Sequence, residues 1–266
     1  MAASKEKILR RIKKLEKKLT ELSQKYDSKV VKEFLDTWEK GLLRLENWIA
    51  KNYKEGMSVD DLVPLLSQID FVLQELIVKP LADVTDDESL FNKRILPALQ
   101  RSFREVITAY GLSMANVVLS PEVAKAVYTS YKSSIMKATE DVKVTVSRVL
   151  TQAAISPMSI DDIMNALKAE DGFFRGVTKH RLETIARSEL HRAFRTAIEE
   201  VNKGRGYKYY KMVGPVDERT SAICRRYVGK IKTREEWLKI SPYVFSYGLH
   251  PNCRHQWIPV PDYLAK

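Results

Sequence analysis

Apolar residues recur along the first fifty positions of the chain at alternating spacings of four and three. A first series comprises Ile8, Ile12, Leu15, Leu19, Leu22 and Tyr26, and a second comprises Leu35, Trp38, Leu42, Leu45 and Ile49. This spacing places the apolar side chains on one stripe of a helix, which can pack along other helices. The sequence therefore predicts one or two long amphipathic helices at the N-terminus, with a break near Asp27–Ser28.

The middle of the chain continues in helical patterns between start signals. Ser58 is followed by acids, as expected of a helix N-cap. Ser120–Pro121 combines a capping serine with a proline at the first helical position, and this helix is expected to reach about Ala154. Ser159 and Thr178 have the position of caps before two further helices.

The pattern changes after Gly206, where the chain becomes β-like. Residues 207–213 mix aromatic residues with lysine and end before a Gly-Pro pair, which is typical of a strand, and residues 254–260 predict a second strand. We therefore expect a mainly α protein, with long N-terminal helices followed by a small C-terminal α+β module. The predicted divisions are a basic amphipathic helical arm at 1–55, a helical domain at 56–155 and the α+β module at 156–266.

Positive charge is concentrated towards both ends of the chain. The 266 residues carry a formal net charge of +11, and 44% of them are hydrophobic, as in a protein that buries a core. Lysine and arginine exceed the acids in 1–55 and 151–266 but not in 56–150. This balance favours a polyanion partner, nucleic acid before an acidic membrane surface, although a basic helix face is also commonly just solvated. The cations predicted to contact DNA are Arg10, Arg11, Lys13, Lys14, Lys17 and Lys18.

The sequence shows no sign of membrane insertion or export. No stretch approaches about 18 uninterrupted apolar residues, so no membrane span is expected. The N-terminus also lacks the apolar run of a secretory signal, so we expect synthesis in the cytoplasm.

The two cysteines and two of the four histidines lie in the C-terminal region. Cys224, His250, Cys253 and His255 are a possible ligand set for Zn²⁺, which binds thiolate and imidazole in structural sites. Two alternatives remain open at this stage. The cysteines can be small buried hydrophobic residues, or they can form a disulfide in an oxidising environment.

Two further interpretations concern polar residues of the same region. Asp217, His250 and His255 are the residue types of a metal-dependent nuclease or toxin-type enzyme module, in which histidine activates water and a carboxylate holds a divalent ion. On a predicted helix, Glu189 forms surface ion pairs with Arg192 and Arg195 in one interpretation. In the alternative, Arg187 or Glu189 reaches inward to pair with Asp217 or Arg219.

The order of these segments resembles that of a known family. The matching segments are Ala186–Glu189, Asn202–Arg205, Gly214, Asp217–Thr220 with Cys224, and His250–Arg254. Together they resemble the phage Mu protein F-like family of minor head, or head-morphogenesis, proteins of tailed bacteriophages, over roughly residues 150–260. The sequence departs from the family at Ser221 and His255, where the family often has cysteine.

The resemblance implies a structural role in a virion. It implies a low-copy, non-catalytic component associated with the portal vertex or head interior, present in the host cytoplasm during assembly. The implied partners are the portal protein, capsid or scaffold components, and packaged DNA. The residues implied to hold the module together are Arg187, Glu189, Asp217, Arg219, Thr220, His250, Cys253 and Arg254.

Overall fold

A computed structural model describes residues 2–110, 119–169, 177–203 and 205–264 of this protein. It confirms the predicted fold class, a mainly helical chain with long N-terminal helices and a small C-terminal module containing a three-stranded antiparallel sheet. The side chains of Ile8 and Thr178, which the sequence analysis assigned to a stripe and a cap, lie outside the described part.

Helix α1, Ala2–Asn52, is a single continuous helix, so the break predicted near Asp27–Ser28 is wrong. Asp27 is buried and remains helical because arginine side chains bind its carboxylate, which therefore does not compete for the backbone. The predicted stripe is buried from Ile12 to Leu22. Beyond Leu22 the buried positions shift by one residue, to Ser23, Asp27 and Val30.

Contacts divide the chain into two compact units, each assembled from separate stretches. The mixed unit comprises Met1–Val30, Arg94–Thr129 and Ala186–Lys266, and the helical unit comprises Val31–Lys93 and Ser130–Ile185. The sequence-predicted division into 1–55, 56–155 and 156–266 stays a prediction.

The helical unit is built on the second part of α1. Its further described elements are α2 (Val59–Leu73), a π-helical turn (Gln74–Val78), α3 (Lys79–Ala82), and parts of a second π-helical turn (Phe91–Ile95), α5 (Pro121–Ile155) and α7 (Val177–Asn202), with all of α6 (Ile160–Ala169). Ser58 caps α2 as predicted, since its hydroxyl accepts a hydrogen bond from the Asp61 amide.

The core of the helical unit is apolar and closely packed. Phe34 stacks with Trp38 at a centroid distance of 6.4 Å and meets the edge of Tyr131 at 6.3 Å. Gly41 allows α1 to approach the first π-helical turn, because a Cβ there would lie 2.7 Å from Ile77 Cγ1 and 2.7 Å from the Leu76 carbonyl oxygen. The shape of the helices therefore determines how this unit packs.

The mixed unit adds a small sheet to helices. Its further elements are α4 (Leu96–Ala109), β1 (Tyr209–Val213), α8 (Ala222–Tyr227), β2 (Ile231–Thr233), α9 (Arg234–Ile240) and β3 (Gln256–Val260). The strand order is β2-β1-β3, antiparallel, with Lys211 opposite Ile231 in β2 and opposite Ile258 in β3. The two predicted strands are present but begin two residues later than expected, and β2, α8 and α9 were not predicted.

A cluster of aromatic side chains supports this sheet. Trp237 of α9 meets the edge of Trp257 of β3 at 5.8 Å, and its indole N–H donates to the Tyr210 carbonyl of β1 at 2.9 Å. Cys224 and Cys253 belong to the same buried cluster. The core of the module thus fixes the two segments that carry the cysteines.

Candidate functional site

Two segments of the mixed unit bring the cysteines together. Cys224 lies in the first turn of α8, where Ser221 is the N-cap, and Cys253 lies in the loop that leads into β3. Both are free and buried, with their sulfur atoms 3.7 Å apart, and the His250 Nε2 atom lies 3.1 Å from the Cys224 sulfur. The three ligand atoms lie within 4.8 Å of one another, so this group could hold a metal ion.

Both histidines of the predicted ligand set place one ring nitrogen near the cysteines and the other near a backbone carbonyl. The Pro251 carbonyl lies 2.5 Å from His250 Nδ1, and the Pro215 carbonyl lies 3.0 Å from His255 Nε2. Since a carbonyl only accepts, each of these nitrogens can donate to it, and the other ring nitrogen lies near a sulfur atom: His250 Nε2 near Cys224, and His255 Nδ1 at 3.9 Å from Cys253. When a neutral ring donates in this way, the nitrogen near the cysteine is the one that can bind a metal. Carbonyls orient metal-bound histidines in the same way.

The separations can be compared with those of a tetrahedral site. Two thiolates bound to one tetrahedral ion at about 2.3 Å stand about 3.8 Å apart, and a thiolate and an imidazole nitrogen stand about 3.6 Å apart. The cysteine pair is at 3.7 Å, and the two sulfur–nitrogen distances are 3.1 and 3.9 Å. Cys224, His250 and Cys253 therefore come close to such a geometry, and His255 lies outside this three-residue group.

The cysteine pair already favours one thiolate. The Cys224 thiol beside it lowers the pKa of Cys253 most, burial opposes this, and His255 and Arg195 lower that pKa further. The hydrogen bond with Cys253, together with burial, raises the pKa of Cys224. The deprotonated form that a metal requires is thus accessible at one of the two sulfur atoms.

Arg195 of α7 is buried beside the cysteines and positions the ligand loop. Its Nε donates to the His255 carbonyl at 2.9 Å, Nη1 donates to the Ser246 carbonyl at 3.0 Å, and Nη2 donates to the Cys253 carbonyl. Burial lowers the pKa of Arg195, and the cysteines oppose that shift. The predicted surface ion pair of Arg195 is therefore wrong, because the side chain is only 2% exposed.

Gly248 lets the chain pass close to Cys253. Its φ of +81° lies in the left-handed region, and a Cβ there would stand 2.6 Å from the Cys253 Cβ and 2.8 Å from its sulfur. Only glycine meets both conditions without strain.

Asp217 is bound by Arg254 rather than by a histidine. Its Oδ2 accepts from Arg254 Nη1 at 2.9 Å, and its Oδ1 accepts from Arg254 Nη2, from the Thr220 hydroxyl and from the Arg219 amide. The hydrogen bonds from Arg254 are the largest cause that lowers the pKa of Asp217 to about 2. The carboxylate is thus ionised and engaged by protein groups on both oxygens.

A buried carboxylate, Asp27 of α1, was missed by the sequence analysis. Its Oδ1 accepts from Arg187 Nε at 2.7 Å, and its Oδ2 accepts from Arg219 Nη2 at 2.9 Å. Arg187 also donates to the side-chain oxygen of Asn252 at 3.4 Å. Arg187 and Arg219 therefore meet at Asp27. The available signal was the four-residue spacing from Leu19 through Ser23 to Asp27, which places an acid on the buried face of α1.

Burial and neighbouring charges shift the pKa values of both Asp27 and His191. Burial would raise the pKa of Asp27, but His191, Arg187 and Arg219 together hold it below its ordinary value. Burial lowers the pKa of His191 to about 4, so this ring is neutral at pH 7. Its Nε2 lies 3.7 Å from Asp27 Oδ1, and at that distance a protonated ring favours the ionised carboxylate.

The remaining predicted residues lie near these two clusters or on α1. Glu189 is buried, with its Oε2 atom 3.7 Å from Arg192 Nη1, and Thr220 is buried with its hydroxyl 3.1 Å from the Pro215 carbonyl. Of the predicted DNA contacts, Lys18 is half-buried and paired with Glu105. The exposed members are Arg10, Arg11, Lys13, Lys14 and Lys17.

Comparisons with protein-family models, curated proteins and solved structures find no match to this chain. In the part of the chain that the structure describes, no helix has the length and apolar character needed to cross a bilayer.

Proposed function

We propose that this protein is a non-catalytic minor head protein of a tailed bacteriophage, of the Mu F-like type. The observation that carries the proposal is the mutual contact of residues from the motif segments. Asp217 pairs with Arg254, and Cys224 faces Cys253 and His250. In this proposal the motif stabilises a small module that docks in an assembly.

The contacts of the polar groups favour this role over a metal-dependent nuclease or toxin-type enzyme. A nuclease of the kind considered needs Asp217, His250 and His255 directed at one reacting position. Instead, Asp217 binds Arg254, and the two histidines bind proline carbonyls at 2.5 and 3.0 Å. Each group is engaged by a protein partner, as expected of residues that hold a fold together.

The proposed ion at the cysteine cluster is Zn²⁺, with Cys224, His250, Cys253 and His255 as ligands. Two thiolates and two imidazoles form a closed structural set, which contributes to folding rather than to chemistry. Zinc would link α8 to the loop before β3 and stabilise the module.

The proposed setting is the head interior or portal vertex of the virion, reached from the host cytoplasm during assembly. The proposed partners are the portal protein, capsid or scaffold components, and DNA. The exposed cations of α1 and the net charge of +11 support proximity to packaged DNA.

The assembly role is tested on purified particles. Virions and procapsids from a strain carrying the intact gene are compared by quantitative mass spectrometry with particles from a deletion strain complemented with wild type or Asp27→Ala. We expect a few copies per wild-type head, enriched with the portal. Absence from both virions and procapsids contradicts the role.

The zinc site is tested separately on purified protein. Elemental analysis is expected to give about one zinc per chain for wild type, and much less for Cys253→Ser. Ser246→Ala is the matched control, because Ser246 contacts Arg195 through its backbone carbonyl only. Stoichiometry well below one zinc in the wild type refutes the site without affecting the particle result.

A further inference from the structure

A groove in the mixed unit lies between α1 and the sheet. It has a volume of about 380 Å³, within the range of small-ligand sites, and α1, β1 and the turn at Val228–Gly229 line it. Lys13 and Lys17 line it from α1, and Lys211 lines it from β1. The long spacing along the chain between residues 17 and 211 explains why the sequence pattern alone did not show this cluster.

The charges in the groove leave a positive surplus. The Lys211 ammonium lies 2.7 Å from Glu16 Oε1, and the Lys17 ammonium lies 3.9 Å from Glu21 Oε1. With Glu16 and Glu21 each within ion-pair distance of a lysine, the charge of Lys13 remains as the excess among the lining residues. The exposed cations Arg226 and Lys230 flank the turn at the groove.

The turn that helps to line the groove allows close approach of a polar chain. Gly229 has a φ of +83°, and a Cβ there would meet nothing within 4 Å, so the backbone of the turn is open. The Thr20 side chain also lines the groove and can offer a hydroxyl. Lysines beside small residues in a concave surface suit a phosphodiester backbone, which carries one negative charge per phosphate.

We propose that this groove binds the phosphate backbone of DNA, with Lys13 as the main contact and Lys17, Lys211 and Thr20 beside it. The inference rests on the proposed function, which makes DNA a partner, and adds where the strand lies. A strand bound in the groove contacts one concave site, whereas a generally basic helix would bind DNA along the whole exposed face of α1. Lys14, the neighbouring residue on α1, is also exposed but does not line the groove.

The test uses a fluorescein-labelled 20-base-pair DNA and the full chain, with fluorescence anisotropy at two salt concentrations. Lys13→Gln and Lys14→Gln remove the same charge from adjacent positions. We expect Lys13→Gln to weaken binding about three- to tenfold and to reduce the salt slope by about one unit, and Lys14→Gln to change affinity less than about twofold. Thr20→Trp fills the groove without changing charge and is expected to weaken binding by a similar factor to Lys13→Gln.

The outcomes separate the groove from the wider proposal. Equal losses in Lys13→Gln and Lys14→Gln, with Thr20→Trp unaffected, overturn the groove and leave a diffuse basic helix. Binding to vesicles containing phosphatidylserine that depends on Lys13, without a matching effect on DNA, also overturns it. Failure of the wild type to bind DNA removes the groove and the DNA partner together, while the particle analysis decides head association independently.

Discussion

The two compact units bury different kinds of side chain. Among the residues that the structure describes, the buried polar side chains of the helical unit are two hydroxyls, Ser89 and Thr139. The mixed unit buries ionisable groups, including Asp27, His191 and Arg195. The helical unit is thus specified by the shape of apolar helices, whereas the mixed unit depends on directional bonds whose loss leaves a buried charge.

The largest effect should come from Asp27→Ala in the mixed unit. The substitution leaves Arg187, whose side chain is 14% exposed, without its buried carboxylate. We expect a loss of about 3–5 kcal/mol in the free energy of unfolding, measured by urea titration. Asp36→Ala is the matched control, since Asp36 is an exposed acid on the same helix, and it should cost less than about 0.5 kcal/mol. Equal losses would remove the contrast between the units.

The second effect is a loss of stability on acidification. His191 is neutral in the folded protein, with a pKa of about 4, whereas in the unfolded chain it takes up a proton near pH 6.5. The free energy of unfolding is therefore unaffected by this histidine above pH 6.5, and it decreases as the pH falls from 6.5 towards 4. This amounts to about 2 kcal/mol between pH 7 and pH 5. The lowered pKa of Asp27 adds a further loss below about pH 4.

The pH effect is measured by urea unfolding at several pH values. The charged or titratable groups that face His191 are Asp27 from α1, Arg195 from α7 and Cys253 from the loop before β3. His191→Gln removes the titrating ring and should flatten the profile between pH 7 and pH 5. An unchanged slope in that variant would assign the effect to another group.

A smaller effect is expected from Gly41→Ala in the helical unit. Alanine favours a helix by about 1 kcal/mol over glycine, but its Cβ would meet the Leu76 carbonyl oxygen at 2.7 Å. Overpacking typically costs about 1–3 kcal/mol, so a net loss of about 1 kcal/mol is expected by thermal or urea unfolding. Lys40→Ala on the same turn is exposed and should be neutral or slightly stabilising. A gain in stability for Gly41→Ala would show that the helices do not pack this closely.

The smallest effect should follow from Lys143→Met, which removes the surface pair with Asp70. The ammonium lies 2.8 Å from the carboxylate, but the Asp70 side chain is 66% exposed. Exposed ion pairs contribute little to stability, so almost no change in the urea midpoint is expected. Arg187→Met, which removes a pair of similar length in the mixed unit, is the comparison in the same urea titration. A loss of several kcal/mol for Lys143→Met would contradict the comparison.

Local patterns were sufficient to predict most of the helices. The stripe from Ile12 to Leu22 and the cap at Ser58 depend on neighbouring residues, so the sequence displays them directly. The three-residue strand β2 was not predictable in this way, because it exists through its pairing with β1. Such short elements follow from tertiary contacts rather than from propensity.

The same distinction applies to the candidate site. The segments around Cys224 and Cys253 could be grouped from the sequence because they contain both cysteines and two of the four histidines. The structure places the two sulfur atoms 3.7 Å apart. Arg187 offered no sign of its partner, because Asp27 lies 160 residues away along the chain. The burial of Arg195 was also hidden, since its partners are backbone carbonyls, which every residue carries.

The reach of Asp27 across the chain has a consequence for biosynthesis. Translation produces α1 before α7, and the buried acid of α1 acquires Arg187 and Arg219 only after both have been synthesised. Until then, the apolar stripe and the ionised Asp27 carboxylate of α1 remain exposed to water or bound by a chaperone. Completion of the mixed unit therefore depends on synthesis of the segment from Arg187 to Arg219, and a chain that ends before it would leave Asp27 without these two partners.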